Sequence, residues 1–208
     1  MNAQTQRFFI TGAAGQQLEC ALDLPDTAPR GVALVAHPHP LYGGTMDNKV
    51  AQTLARAFIS LGYATARMNF RGVGQSGGEH DHGLGETDDM ALLHAHMQQQ
   101  YPGLPVALAG FSFGTYVQSH LQQRQTKQGT PAERLVLVGT AAGNWEMADV
   151  PANTILIHGE HDETIPLSAV LDWARPQDLP VIVVTGADHF FHRKLQHIKN
   201  FVVEMWHR

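Results

Sequence analysis

Five short apolar runs constrain the fold of this chain more than any other feature. They occupy 31–36, 106–109, 135–138, 154–157 and 181–184, and each is bounded by Gly, Pro or polar residues. A run without polar alternation predicts a strand buried on both faces, as in a parallel sheet covered by helices. A weaker run at 64–68 predicts another strand between the first two. Between the runs lie helical patterns. Val50, Leu54, Ala57, Phe58 and Leu61 share one face of a helix expected over 47–61, with Gly62 positioned to end it. Met90, Leu93 and Met97 do the same over 87–100, where Asp88 and Asp89 suit a helix N-terminus. Further helices are expected over 112–128 and 167–174, and from His189 to the end, where Phe191, Leu195, Ile198, Val202 and Trp206 are in register. Residues 7–23, turning around Gly12 and Gly15, read as an antiparallel hairpin at the sheet edge. The alternation predicts an α/β protein with an open, mostly parallel twisted sheet, helices on both faces and an N-terminal hairpin. A length of 208 residues suits one domain over 1–208.

Composition removes several alternatives. Charged residues make up 16% of the chain, against roughly 25% in ordinary soluble domains. Disordered, coiled-coil and solenoid chains are richer in charge or repeats, so none of these is expected. The net charge is −5 with no basic run, which argues against a nucleic-acid partner. No apolar run approaches the ~18 residues of a membrane span, so no membrane association is expected. Residues 1–10 lack the charged start and apolar block of a secretory signal, which makes the cytoplasm the expected compartment. The one cysteine, Cys20, lies in an alternating strand-like stretch and reads as a packed core thiol.

The run at 106–109 leads into Gly110-Phe111-Ser112-Phe113-Gly114, and a helical pattern follows. This is G-x-S-x-G in the strand, sharp turn, helix context that the motif requires. The turn holds the serine strained, with its hydroxyl clear of the strand end, and the flanking glycines allow close approach. A serine nucleophile needs a base within reach and a carboxylate to orient that base. The loop after 154–157 offers Glu160, His161, Asp162 and Glu163. The loop after 181–184 offers Asp188 and His189, with His192 beyond. An acid and then a histidine thus follow the serine in the chain order expected of such a sheet.

With these residues the sequence resembles the small, lidless bacterial serine hydrolases of the α/β-hydrolase superfamily. Further residues carry the resemblance: His37-Pro38-His39-Pro40 with Gly43-Gly44, the stretch from Asn69 to Gly77, Gly159 with Asp162, and Asp188-His189. The resemblance implies the α/β-hydrolase fold without a lid domain. It implies Ser112 as nucleophile, Asp162 as orienting acid and His189 as base, with Glu160, Glu163, His161 and His192 as competitors. One oxyanion donor is expected to be the backbone N–H of Phe113. The other comes from the loop after the first apolar run, where Pro38 and Pro40 have no N–H, leaving His39 or Leu41; position favours His39. Leu41, Tyr42, Phe111, Phe113, Phe190 and Phe191 flank the motifs. Leu41, Tyr42, Phe111 and Phe190 are expected to line the substrate pocket, though Phe111 and Phe190 also suit a core.

Two other patterns compete. Gly72 to Gly77 matches G-x-G-x-x-G, yet no helix pattern follows directly to hold a pyrophosphate. His37, His39, His80 and His82 suggest zinc, but no Cys pair or His-Glu-x-x-His supports it. Neither cofactor nor metal is expected, and Arg71 reads as an organiser of neighbouring turns. The expected activity is cleavage of small carboxylic esters through an acyl-enzyme, with a small-molecule acyl substrate as partner. Thioesterase, peptidase, dienelactone-type and non-catalytic ligand-binding readings remain alternatives, and monomer and homodimer are both compatible. Only 15 residues, 139–153, separate two runs where larger relatives insert a lid, so the site should be open and shallow.

Overall fold

The computed structural model describes residues 5–206. Eight strands form one sheet: β1 (Gln6–Thr11), β2 (Gln17–Asp23), β3 (Gly31–Ala36), β4 (Tyr63–Met68), β5 (Val106–Phe111), β6 (Arg134–Val138), β7 (Ile155–Gly159) and β8 (Val181–Val184). Their spatial order is β1-β2-β4-β3-β5-β6-β7-β8. β1 and β2 form the expected hairpin, and β2 joins β4 antiparallel. All later pairings are parallel. Five α-helices connect them: α1 (Lys49–Ser60), α2 (Leu84–Gln100), α3 (Phe113–Lys127), α4 (Leu167–Ala174) and α5 (Leu195–Met205).

Burial explains why the central runs are apolar throughout. Val32, Leu34 and Ala36 of β3 face a core shared with α2, α3 and α4, through Leu93, Val117 and Val170. Ala33 and Val35 face the opposite core, shared with α1 and α5 through Leu54, Phe58, Ile198 and Val202. β5, β6 and β7 divide their residues between the two cores in the same alternation. The hairpin faces one core only: Leu18 and Cys20 are buried there, while Phe9 on the other face of β1 is exposed. Cys20 is thus a core thiol, and burial pushes its pKa up to about 12.

Two helix boundaries differ from expectation, each for a local reason. α2 starts at Leu84, before Asp88 and Asp89, because Glu86 accepts the Gly83 and Asp81 N–H groups at 2.8 and 3.0 Å and anchors an earlier first turn. Asp89 is instead a buried anchor for Arg71 at 2.8 Å and for the Ala13 N–H at 3.1 Å. The last helix starts at Leu195, since Phe191 and Arg193 have φ of 53° and 62° and fold 189–194 into turns. Phe191 is still buried in the core, but through a turn.

The segment between β6 and β7 carries a short bridge from Ala142 to Trp145 in place of a lid. The Trp145 ring packs against Phe113 at 4.8 Å and Tyr116 at 5.1 Å. β3, β5, β7 and β8 therefore open their carboxyl ends onto one uncovered edge, where ligands bind in sheets of this kind.

Candidate active site

Ser112 stands between β5 and α3 with φ 54° and ψ −124°, a conformation that costs a non-glycine residue energy and lifts its side chain off the strand end. The neighbouring glycines make this possible. A Cβ on Gly110 would collide with the Gly114 carbonyl, and one on Gly114 would fall 2.7 Å from the His37 carbonyl oxygen. A side chain on Gly110 would push the start of α3 off β5, and one on Gly114 would push it off the end of β3. Phe113 is the first residue of α3, so its N–H has no acceptor within the helix and points with the helix dipole into the site.

Three strand ends meet here. His189, from the loop after β8, places Nε2 3.0 Å from Ser112 Oγ. Its Nδ1 lies 2.7 Å from Oδ2 of Asp162, from the loop after β7. The second oxygen, Oδ1, accepts the N–H groups of Thr164 and Ile165 at 2.9 and 2.8 Å, which fixes the carboxylate plane. Burial pushes the Asp162 carboxyl up, but the His189 hydrogen bond, the Ile165 N–H and the nearby imidazoles outweigh it and hold its pKa below the ordinary value. Asp162 is therefore an anion at neutral pH. The His189 ring packs between Phe111 at 5.0 Å and Phe190 at 5.1 Å.

The competitors lie elsewhere. Glu160 accepts the Gly186 N–H at 2.7 Å, and Glu163 is exposed. Asp188 pairs with His192 at 2.6 Å, both largely exposed, and His161 pairs with Glu160 on the surface. The His192 bonds hold the Asp188 carboxyl below its usual pKa despite an opposing burial effect.

The loop after β3 is built on His37. Its Nε2 accepts the Phe70 N–H at 3.0 Å and its Nδ1 donates to the Pro38 carbonyl at 2.6 Å. Both ring nitrogens are thus engaged within the fold. Burial drives the His37 pKa down to about 3, against a smaller upward effect of the Pro38 hydrogen bond. At the loop tip Leu41 donates its N–H to His39 Nδ1 at 3.2 Å, and the His39 carbonyl accepts from Gly44 at 3.0 Å. The His39 N–H makes no hydrogen bond among the described residues, which leaves it, rather than Leu41, free to donate.

A cleft of about 340 Å³ opens beside Ser112 and His189, lined by Pro38, His39, Tyr42, Asn48, Thr164 and Phe190 together with the Gly43-Gly44 backbone. Tyr42 and Phe190 are therefore in the cleft, 88% and 47% exposed. Two expected lining residues are not. Phe111 is fully buried, because on β5 it shares a face with Ala107 and Ala109 in the α1 and α5 core. Leu41 is 69% exposed and does not line the cleft, whereas Tyr42, two residues on from the 3-10 turn's start at Pro40, does.

Sequence reasoning missed Asn48, Thr164 and His158. Asn48 caps α1 through its side-chain oxygen, 2.8 Å from the Val50 N–H, at the edge of the cleft. Its place before an amphipathic helix was the available signal. His158 ends the β7 run. Its Nε2 donates to the Ile165 carbonyl at 2.9 Å and lies 3.5 Å from Asp162, while burial lowers its pKa. The remaining glycine run, 72–77, is a turn region: Arg71 ties it to Asp89 and to the Gly85 carbonyl at 3.0 Å, as expected of a turn organiser.

Residues 28–170 match the family model described as serine aminopeptidase, S33. The crystal structure of a lidless α/β serine hydrolase from Xanthomonas campestris superposes with a TM-score of 0.91 and 34% identity, covering 100% of this chain and 96% of that one. An uncharacterised protein of Rickettsia prowazekii is 30% identical over 185 residues, 82% of this chain and 76% of its own length. A monoacylglycerol lipase of Mycolicibacterium smegmatis is 30% identical over 108 residues, which are 50% of this chain and 37% of the lipase. With its parallel sheet, N-terminal hairpin and serine at the strand-to-helix turn, the chain belongs to the serine aminopeptidase S33 family of serine hydrolases, on the α/β-hydrolase fold without a lid.

Proposed function

We propose that the protein cleaves small, uncharged carboxylic esters through an acyl-enzyme, with Ser112, His189 and Asp162 as its catalytic triad. The observation that carries this reading is the unbroken chain from Ser112 Oγ to His189 to Asp162, at 3.0 and 2.7 Å, assembled from three strand ends. Ser112 Oγ attacks the ester carbonyl carbon and gives its proton to His189 Nε2. Asp162 holds His189 in the Nδ1–H tautomer and stabilises the imidazolium. The oxyanion takes hydrogen bonds from the N–H groups of Phe113 and His39. Such donors are each worth about 3–4 kcal/mol in the transition state. The intermediate collapses, the C–O bond to the alcohol breaks, and His189 returns the proton to the leaving alkoxide. Water then attacks the acyl carbon, giving its proton to His189, and the acid leaves as Ser112 is regenerated. The chemistry requires no cofactor or metal.

The cleft favours esters over the peptide substrates that the family description names. An aminopeptidase must hold a substrate α-ammonium group, and a partly buried cation needs a carboxylate partner. The lining residues include no Asp or Glu. Tyr42 and Phe190 offer apolar walls, and the M. smegmatis relative is described as a monoacylglycerol lipase. The volume, at the low end for ligand clefts, suits a short acyl group. The proposed compartment is the cytoplasm, which suits a lone, buried, unpaired thiol.

A panel of nitrophenyl esters of rising acyl length, acyl thioesters and aminoacyl nitroanilides tests the reading. Turnover of short acyl esters by the wild type, abolished in Ser112→Ala, is expected. Faster turnover of aminoacyl nitroanilides than of esters overturns the ester assignment.

A further inference from the structure

The structure assigns His80 as a positioning residue that holds the two proposed oxyanion donors in register. This inference rests on the hydrolase reading above. His80 lies in the loop before α2, outside every motif that places the triad. Its side chain is nearly buried, and its ring sits 4.8 Å from the His39 ring and 5.5 Å from the Phe113 ring. These are the two residues whose backbone N–H groups are the proposed oxyanion donors. Their own rings meet at 4.9 Å, and Trp145 closes the other side, 5.6 Å from His39 and 4.8 Å from Phe113.

The wedge is anchored. His80 Nδ1 is 2.8 Å from Oε1 of Glu86, whose side chain is fully buried. Glu86 is itself fixed by the Asp81 and Gly83 N–H groups at 3.0 and 2.8 Å, within the first turn of α2. The angle of the His80 ring is thus set by a carboxylate bound to the backbone of a helix that packs under the sheet. Phe113 is rigid, because it begins α3 and its ring is buried. The His39 loop is the looser side: it lies at a partly exposed tip between Pro38 and Pro40, and among the described residues its hydrogen bonds come from the Gly44, Tyr42 and Leu41 N–H groups alone. Ring contacts from His80, Trp145, Phe113 and Tyr42 therefore decide where the His39 N–H points. A shift of about 1 Å in such a group is enough to cost a hundredfold in rate.

The test compares wild type with His80→Ala and His80→Phe. It follows kcat and KM on a short nitrophenyl ester, Ki for a trifluoromethyl ketone whose adduct carries the oxyanion, and thermal melting. His80→Ala is expected to lose at least tenfold in kcat with KM within threefold, and Ki should rise in proportion to the loss in kcat/KM. His80→Phe keeps the ring but loses the Glu86 anchor, so its kcat should fall less than that of His80→Ala, and the melting temperatures separate this effect from lost folding. Should His80→Ala fail to fold, His80→Phe against His80→Leu carries the same comparison. If the ring-less variant keeps its kcat within twofold, or if Phe loses as much as the ring-less variant, the inference is overturned while the hydrolase reading stands. A wild type that neither turns over esters nor binds the ketone overturns both.

Discussion

His37 makes the fold acid-labile by an amount that follows from its surroundings. Its ring is fully buried at the end of β3, with Nε2 accepting from Phe70 and Nδ1 donating to Pro38, so it folds only as neutral imidazole. Burial lowers its pKa to about 3, against about 6.5 in an unfolded chain. The folded value is depressed, so the unfolded chain takes up a proton first as pH falls. The contribution of His37 to stability is thus complete above pH ~6.5 and is lost progressively as pH falls toward 3. At 1.36 kcal/mol per pH unit, the full loss is about 5 kcal/mol, and roughly 3 kcal/mol of it falls between pH 7.5 and 4.5. A loss of that size is a large part of an ordinary folding free energy of ~5–15 kcal/mol. Urea denaturation at both pH values, for wild type and His37→Gln, isolates the effect, because carboxylate contributions are common to the two proteins. Gln is less stable at pH 7.5, but its loss on acidification should be smaller than that of wild type by roughly 3 kcal/mol. The His37 Cε1 proton resonance should stay fixed over this range. A resonance titrating near pH 6.5, or equal losses in the two proteins, refutes the reasoning.

Two further outcomes follow from the same geometry. In Asp162→Asn the amide replaces the anion that faces His189 Nδ1, favouring the wrong tautomer; kcat on a short ester should fall by about 10⁴-fold while KM changes little, as steady-state kinetics will show. Cys20, with its pKa pushed to about 12 and no exposed surface, should resist a thiol reagent at pH 8 in the native protein and react at once in denaturant; mass spectrometry reads both.

The legible and illegible parts of the molecule divide along a physical line. β3 and β5 to β7 were legible because strands buried on both faces leave no polar alternation, and this signal is local; β8 carries the same apolar run although it is the sheet edge, with Val183 37% exposed rather than buried. The Ser112 turn was legible because the collisions at Gly110 and Gly114 demand glycine at fixed offsets. The start of α5 was not, because apolar spacing continues through Phe191 even though φ there and at Arg193 is left-handed. The direction of Phe111 follows from strand parity: it shares its face with Ala107 and Ala109, which turns it into the core rather than the pocket. Asn48, Thr164 and His80 reach the site only through folding of separate loops, and no one-dimensional pattern unites them with Ser112. The matched family range, 28–170, includes Ser112 and Asp162 but not His189, so the proposed triad rests on geometry.

The central claim is that Ser112 is an activated nucleophile, and one measurement tests it directly. Wild type and Ser112→Ala are treated with a fluorophosphonate, and adducts are located by peptide mass spectrometry. A single adduct on Ser112 is predicted, absent from Ser112→Ala and slowed when His189 is replaced by Ala. No adduct on the folded wild type, or one at any other residue, contradicts the account.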